Sequence, residues 1–481
     1  IQDNKLILNN VKLMIGALVK IEDNADRKDG AIVMTRMVIK HIQLARTGVS
    51  ISFGTSGWRG KWISVDGKAP EFTIDNIRRA AQGVADYYKE AKLTGAILIG
   101  FDPRGHNAEW AKDIASVLAG NGIPVKIVIS EPTPTPALAY LASSSNGAIS
   151  GVINLTASHN KYIDDGFKYS PSHGGAADKS ITDAISLAAN KASEYSYVEY
   201  SEAQAAGAIE ELELQDVLNT YVNGYLIKNL KEIGAWDSIV GYIKEHKDFQ
   251  VYLDPMQGTS VQYWIAIARA LEAEAGRKFY KLVHTNNRDN TFMEVDNAPN
   301  PTEKASIEDL TAMVQAKTTR IGLATDGDAD RFGLIDFGGK EISANEFMGM
   351  LVHFLKTTNP KLVEGTRIGK TVATSNFVNA VAEYAGLPLD ELSVGFKWFV
   401  EGAVKENKDY LVAGEESAHV GIKPFMKQSW DDGIVMDMMV LWMIAATGKS
   451  LSAYKAEIEQ IIGRQFFYDR KTVKLTDALK S

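Results

Sequence analysis

The sequence predicts an α/β protein of several domains, built from mostly parallel sheets with helices packed on their faces. Three observations carry this expectation. Short apolar runs of strand length alternate with helix-length stretches along most of the chain. A strand–turn–helix unit recurs in faint echoes at 96–119, at 251–260 (VYLDPMQGTS) and at 321–330 (IGLATDGDAD), without the fixed period of a solenoid. The length of 481 residues leaves room for roughly three cores at about 150 residues per domain.

Taken in order, residues 1–50 mix a polar stretch (Asp23 to Gly30) with apolar patches at Leu13 to Val19 and Ile32 to Ile39, and are expected to be helical. From Ala96 the run AILIGFD reads as a strand and PRGHN as a turn. A helix is expected from Ala108 to Ala119, stopped by Gly120–Asn121–Gly122. Further strands are expected at Val125–Ile129, Ile149–Leu155, Gln250–Leu253, Arg320–Ala324 and Phe332–Ile335. The polar stretches Ser193–Gly207 and Lys356–Gly365 read as linkers or surface loops.

Composition narrows the function. Fifty-two Lys and Arg against 60 Asp and Glu give a net charge of −8, the wrong sign for a protein whose main partner is nucleic acid. The absence of cysteine removes disulfides, thiolate nucleophiles and Cys-ligated metals, leaving oxygen and nitrogen groups to do the chemistry. The apolar run Val435 to Ala446 is broken by Asp437 and is shorter than the ~20 residues that span a bilayer, so no transmembrane segment is expected. No secretory signal is visible, and a cytoplasmic protein is expected.

Two loops carry candidate chemistry. Asp326-Gly-Asp328-Ala-Asp330-Arg331 follows a strand, and alternate carboxylates on a tight turn converge their oxygens on a hard cation such as Mg²⁺. An EF-hand is excluded, because its sixth position is Arg331 rather than Gly and its twelfth is Phe337 rather than Glu. Thr156-Ala157-Ser158-His159-Asn160 follows the strand ISGVINL, at the end of a strand where open α/β sheets place their active sites. Taken alone, such a serine is more often a turn residue, and the Gly-x-Ser-x-Gly pattern of a nucleophile elbow is absent.

Together the loops resemble those of the α-D-phosphohexomutase family, which carries a Thr-Ala-Ser-His-Asn-Pro phosphoserine loop and an Asp-Gly-Asp-x-Asp-Arg metal loop. FGTSGWRG at 53–60, DPRG at 102–105, PNPT at 299–302, VGFKWF at 394–399 and GEESAH at 414–419 match in the family's order. The resemblance implies several related three-layer α/β domains with mixed, mostly parallel sheets around a central cleft. On it, residues 1–50 form an extension, 51–235 a first domain with the phosphoserine loop, 236–343 a second with the metal loop and 344–463 a third with the sugar loop. Residues 464–481 would begin a C-terminal fourth domain that is otherwise absent. The implied activity is interconversion of glucose 1-phosphate and glucose 6-phosphate, with a phosphomannomutase or dual-specificity enzyme as the alternative.

The resemblance also implies roles. Ser158 would carry the phosphate, with Mg²⁺ held by Asp326, Asp328, Asp330 and phosphorylated Ser158, and glucose 1,6-bisphosphate as the intermediate. Arg59 and Lys168 match positions near the transferring phosphate, Lys168 as the general acid/base, with His159 assisting. Gly395, Lys397, Glu415 and Ser417 would meet the sugar, and Arg331 the substrate or the carboxylates it follows. Of Phe396, Trp398 and Phe399, at least one is expected in the core. Lys161 replaces the family's Pro, and nothing after Tyr468 matches the family's distal-phosphate clamp, so a weakened mutase or a non-catalytic phosphosugar-binding protein is a further reading. A haloacid-dehalogenase-like enzyme with Asp326 as nucleophile is disfavoured, because position 329 is Ala and the loop lies late in the chain. The expected partners are small sugar phosphates, with neither nucleic acid nor membrane, in a monomer or homodimer.

Overall fold

The structure is a computed structural model and describes residues 37–44, 48–54 and 57–467. The first sheet region contributes β1 (Lys40–Gln43), β2 (Trp58–Lys61), β3 (Ala96–Phe101), β4 (Val125–Ile127), β5 (Ile149–Leu155), β6 (Asp164–Pro171), β7 (Glu194–Tyr197) and β8 (Ile209–Glu211). Every residue of β3 and β5 is buried, as their unbroken apolar sequences require of strands covered on both faces. The six-stranded sheet has the order β2-β6-β5-β3-β4-β8, in which β5, β3, β4 and β8 run parallel, β6 is antiparallel to β5, and β2, antiparallel to β6, runs again in the direction of the parallel set. The helix Ile74–Glu90, capped by the Thr73 side chain accepting from the Asn76 amide, packs on it beside the helix Lys179–Lys191.

A five-stranded sheet follows, from β9 (Gln250–Asp254), β10 (Tyr280–Leu282), β11 (Arg320–Thr325), β12 (Phe332–Asp336) and β13 (Lys340–Ile342), in the order β10-β9-β11-β12-β13. The last sheet has β14 (Arg367–Thr371), β15 (Leu389–Leu392), β16 (Tyr410–Gly414) and β17 (Val420–Ile422), in the order β15-β14-β16-β17. In both, parallel strands give way to antiparallel ones, at β11/β12 and at β16/β17. The three larger sheets therefore share one device. The chain leaves the C-terminal end of a parallel strand, makes a short loop and returns antiparallel beside it, and the loops so formed are 156–163, 326–331 and 415–419.

Several expectations need correction. Residues 1–36 lie outside the described residues, and within the described part of the segment expected to be helical Lys40–Gln43 is a strand, paired antiparallel with β7. The supposed loop Ser193–Gly207 holds β7 and the helix Tyr200–Ala205. Tyr195 is buried there, and the Arg78 guanidinium lies over the Tyr195 and Tyr197 rings at 5.6 and 5.7 Å, giving a polar stretch tertiary partners. Lys356–Gly365 is also largely helical. One helix runs on to Thr358, and Asn359 caps a further turn, Pro360–Val363, that begins with proline. The run IGLATDGDAD leads into the antiparallel strand β12 rather than into a helix.

The apolar run around Asp437 forms the helix Gly433–Thr447, buried nearly all round in a core shared by the second and third sheets. No single helix among the described residues is long and apolar enough to cross a membrane. Asp437 is fully buried, and both carboxylate oxygens lack a protein partner. Burial, then the nearby Asp432, raises its carboxyl well above the ordinary 3.8. Because the folded state holds this proton more tightly than the unfolded chain, stability is fullest below the unfolded value. It falls by about 1.4 kcal/mol per pH unit as pH rises toward the folded value. Asp437→Asn is expected to flatten that part of the slope and to raise the melting temperature near neutral pH, read from thermal unfolding across pH 4–8 in both proteins; identical pH profiles would contradict it.

Candidate active site

Ser158 sits two residues beyond its capping partner Thr156, in a left-handed conformation (φ 56°) that is costly for a residue with a Cβ. What holds it there is buried. The Thr156 hydroxyl accepts from the Ser158 amide at 2.8 Å and donates to Asp102 at 2.6 Å. Arg104, fully buried against Asp102 (2.7 Å), donates to the carbonyls of Ser158 (2.5 Å), Asp164 (3.1 Å) and Asn160 (3.3 Å). One guanidinium thus gathers the carbonyls of a whole loop. The Ser158 hydroxyl donates to Asp326 Oδ2 at 2.7 Å and lies 3.3 Å from His159 Nδ1. His159 is held neutral. Burial, then the charges of Arg331 and Arg59, lowers its pKa to about 2.

The Ser158 loop and the Asp326 loop touch backbone to backbone. A Cβ on Gly327 would stand 2.7 Å from the Ser158 carbonyl oxygen and 2.9 Å from Pro299 Cγ. Gly327→Ala is therefore expected to push the loops apart and to lower turnover by about 10²-fold, the usual cost of an ångström of misplacement, while the protein still folds. Wild-type rates in that variant would show that the spacing does not matter.

The three carboxylates of the metal loop can offer oxygens within 4.8 Å of one another. Asp328 Oδ2 accepts from Thr135 Oγ1 (2.6 Å) and Lys168 Nζ (2.5 Å), and Asp330 Oδ2 accepts from Lys168 at 2.9 Å. Asp328 Oδ1 and Asp330 Oδ1 are buried and accept no hydrogen bond from the protein. Two such oxygens beside Asp326 Oδ2 and a hydroxyl make a donor set suited to a hard cation. Burial, then Asp330 and Asp328, drives the Asp326 carboxyl far up. Burial opposes ionisation of Asp330 as well, yet the charges of Lys168 and Arg331 hold that carboxyl below its ordinary value. Lys168 is partly buried, which opposes its charge, yet Asp328 and Asp330 hold it as an ammonium above its ordinary pKa.

A second acidic cluster, Asp330, His419 and Asp431, is not suited to a cation. Arg331 Nε, which can only donate, lies 2.8 Å from His419 Nε2. Nε2 must then be the acceptor, which puts the ring proton on Nδ1, where it is donated to Asp431 Oδ2 at 2.6 Å. The nitrogen a metal would need is already a donor.

The cleft beside these loops has a volume of about 260 Å³, hexose-sized, and lies between the first and third sheets. Lys168, Arg331, Gly395, Lys397, Glu415 and Ser417 all line it, together with Asp330. Glu415 is buried and accepts from the Gly395 amide at 2.7 Å, tying the two sugar-loop segments together. The Lys397 ammonium lies 4.9 Å from the Trp398 ring centroid. Phe399 and Phe396 are core, whereas Trp398 is exposed. Ser158, Asp326 and Asp328 lie behind the lining, and Arg59, on β2, donates to Asn160 Oδ1 at 2.8 Å. Sequence reasoning gave no role to Thr135, Arg104, His419 or Asp431. DPRG and GEESAH were visible as motifs, but Thr135 and Asp431 carry no local signature.

The domain descriptions "Phosphoglucomutase/phosphomannomutase, alpha/beta/alpha domain" I, II and III match residues 50–196, 227–339 and 343–461. The chain belongs to this family, the α-D-phosphohexomutases. A phosphoglucomutase of Komagataeibacter xylinus is 27% identical over 433 residues, 87% of this chain and 74% of its own. A phosphoglucosamine mutase of Campylobacter concisus is 27% identical over 437 residues, covering 89% of this chain and 87% of its own. A provisionally named phosphomannomutase of Thermus thermophilus has a solved structure that superposes with a TM-score of 0.70 at 26% identity, over 86% of this chain and 84% of that one. This phosphohexomutase is thus an isomerase that transfers phosphate, and it has the buried acidic cluster that a Mg²⁺-dependent family requires. The sugars in these names differ, so the comparisons establish the hexomutase and leave the hexose open.

Proposed function

We propose that this phosphohexomutase interconverts glucose 1-phosphate and glucose 6-phosphate through a phosphate carried on Ser158, with glucose 1,6-bisphosphate as the intermediate. The observation that carries the reading is the Ser158 hydroxyl 2.7 Å from Asp326 in the metal loop, beside a hexose-sized cleft. Asp326, Asp328 and Asp330 would hold Mg²⁺, with a phosphate oxygen on Ser158 completing the set. When bound, the ion neutralises charge on the phosphoryl oxygens.

In the first transfer a sugar hydroxyl oxygen attacks phosphorus, the bond from phosphorus to Ser158 Oγ breaks, and Oγ takes a proton as the hydroxyl loses one. Lys168, held as an ammonium beside the metal loop, gives its proton to Oγ and is reprotonated through solvent by the proton that the sugar hydroxyl releases, and the reverse transfer runs the same steps backwards. Arg59, with His159 held neutral beside Ser158, keeps the phosphoserine loop in place through Asn160. Glu415 and Ser417 accept and donate to the sugar hydroxyls, and Lys397 and Arg331 meet a phosphate. The glucose preference rests on the run GFKWFVEG, which resembles glucose-preferring members. The expected setting is the cytoplasm, with small sugar phosphates as partners.

The test is peptide mass spectrometry after incubation with Mg²⁺ and glucose 1,6-bisphosphate. A phosphate on Ser158 that glucose 1-phosphate then removes supports the mechanism; no phosphate there, or one that no hexose monophosphate discharges, overturns it. Equal rates on the 1-phosphates of glucose, mannose and glucosamine would undo the glucose preference alone.

A further inference from the structure

We infer that Tyr221 and Tyr225 are positioning residues, which reach from the segment between the first and second domains to hold the 425–432 wall of the cleft in place; this rests on the reading that the cleft takes a sugar phosphate. Both lie in the stretch 197–226, which falls between the residues matched to domains I and II. The chain there runs as one continuous helix whose middle, Asn219–Ile227, is wound as a π-helix between the α-helical turns Leu214–Leu218 and Lys228–Glu232. So long a run of π winding is rare, and Gly224 within it is a poor helix former, so tertiary contacts must hold it. The two tyrosines, both buried, supply them by touching all three domains. The Tyr225 ring stacks on Tyr140 of the first at 3.9 Å, and the Tyr221 ring meets Tyr263 of the second edge-on at 5.7 Å. Both hydroxyls go to the third. Tyr221 donates to Asp432 Oδ2 at 2.7 Å, and Tyr225 donates to the Phe425 carbonyl at 3.1 Å and lies 3.0 Å from Ser429 Oγ.

The segment that receives these bonds needs support from outside. Lys427 and Trp430 take left-handed conformations (φ 77° and 64°), which are costly for residues with a Cβ and persist only where neighbours impose them. Ser429, Trp430 and Asp431 line the cleft, and Asp432 caps the helix Gly433–Thr447 by accepting from the Val435 amide at 3.1 Å. Gly433 opens that helix by donating its amide to the Ala329 carbonyl in the Asp326 loop at 3.0 Å, and a Cβ there would run into the Arg331 carbonyl. A shift at Asp432 therefore moves the cleft wall and presses on the Asp326 loop together. The opposite side of the cleft is referred to the same tyrosines. The helix Thr135–Ser143, which carries Tyr140, begins with Thr135 bonded to Asp328, lines the cleft with Ala139 and ends with Ser143 donating to the Gln428 carbonyl at 3.1 Å. Tyr225 sits between that helix and the 425–432 wall, so the two phenols fix how far apart the first-domain and third-domain sides stand.

The test compares wild type with Tyr221→Phe, Tyr225→Phe, the double variant and Tyr410→Phe. Each single change keeps the ring and removes one hydroxyl. Tyr410→Phe is the control, since it deletes a comparable bond, to Asp390 at 3.0 Å, at the end of β16 away from the loop 415–419. All the variants are expected to melt a few degrees below wild type. KM for glucose 1-phosphate, with Mg²⁺ and glucose 1,6-bisphosphate present, should rise about threefold in each of the Tyr221 and Tyr225 variants and about tenfold in the double, with a smaller change in kcat and a wild-type KM in Tyr410→Phe. Amide exchange read by mass spectrometry should quicken in peptides spanning 425–433 in the Tyr221 and Tyr225 variants and keep its wild-type rate there in Tyr410→Phe. A wild-type KM or unchanged exchange at 425–433 in the double variant, or the same changes in Tyr410→Phe, would overturn the inference, because a merely structural role lowers the melting temperature without that selectivity. Should the double variant not fold, the two single variants are judged by the same criteria. If wild type turns over no hexose monophosphate, the proposed function fails, and exchange alone decides. Quickening at 425–433 confined to the Tyr221 and Tyr225 variants supports the positioning role, and exchange that is unchanged, or equally quickened in Tyr410→Phe, overturns it.

Discussion

Ser158→Ala is expected to lower mutase turnover by roughly 10⁴-fold or more, the scale seen when a covalent nucleophile is removed, while the protein remains folded. The backbone contacts that fix the loop, from the Ser158 amide to Thr156 and from Arg104 to the Ser158 carbonyl, do not involve the hydroxyl and survive the change. What is lost is the one donor to Asp326 Oδ2 and the atom that carries phosphate. Ser158→Gly provides an internal control. At φ 56° glycine has no Cβ to strain, so Ser158→Gly should be more stable than Ser158→Ala by about 1 kcal/mol and yet equally inactive. Turnover near wild type in either variant would end the phosphoserine mechanism, whereas loss of the fold in both would point to a purely structural serine.

Removing divalent cations with EDTA is expected to abolish turnover, by more than about 10³-fold, and restoring Mg²⁺ to recover it. The same ion should stabilise the fold. Asp326, Asp328 and Asp330 are all buried, and a cation that neutralises them binds the folded state and not the unfolded chain. Stabilisation of about 2.7 kcal/mol is expected when Mg²⁺ is 100 times its dissociation constant, visible as a rise of a few degrees in melting temperature. Asp326→Asn should shrink that rise, because it replaces an oxygen ligand nearest Ser158 with a neutral one. Full activity in EDTA, or a melting temperature indifferent to Mg²⁺ in the wild type, would remove the metal loop from the mechanism.

The division between sequence and tertiary structure follows from how far apart the interacting groups lie along the chain. Features set within a few residues were legible from the sequence. The apolar runs of β3 and β5 announce strands covered on both faces, and the alternating carboxylates of 326–330 announce a turn whose oxygens converge. Where tertiary partners override local polarity, the same reasoning failed. Ser193–Gly207 looks like a linker, but β1 pairs with it and Arg78 covers its tyrosines.

By itself, then, the sequence determined which loops are proposed to carry chemistry and which strands and helices bear most of them, because those depend on patterns of a few adjacent residues. Only the tertiary structure decided that the three loops fill the same place, at the turn from parallel to antiparallel in their sheets, and so meet in one site. It alone brought Lys168 and Thr135 to Asp328 across 160 and 193 residues of chain, gathered three carbonyls onto the buried Arg104, and set His419 between Arg331 and Asp431. Those contacts come from sheet order and the packing of one domain against the next, and such long-range geometry leaves no mark on the residues immediately around each partner.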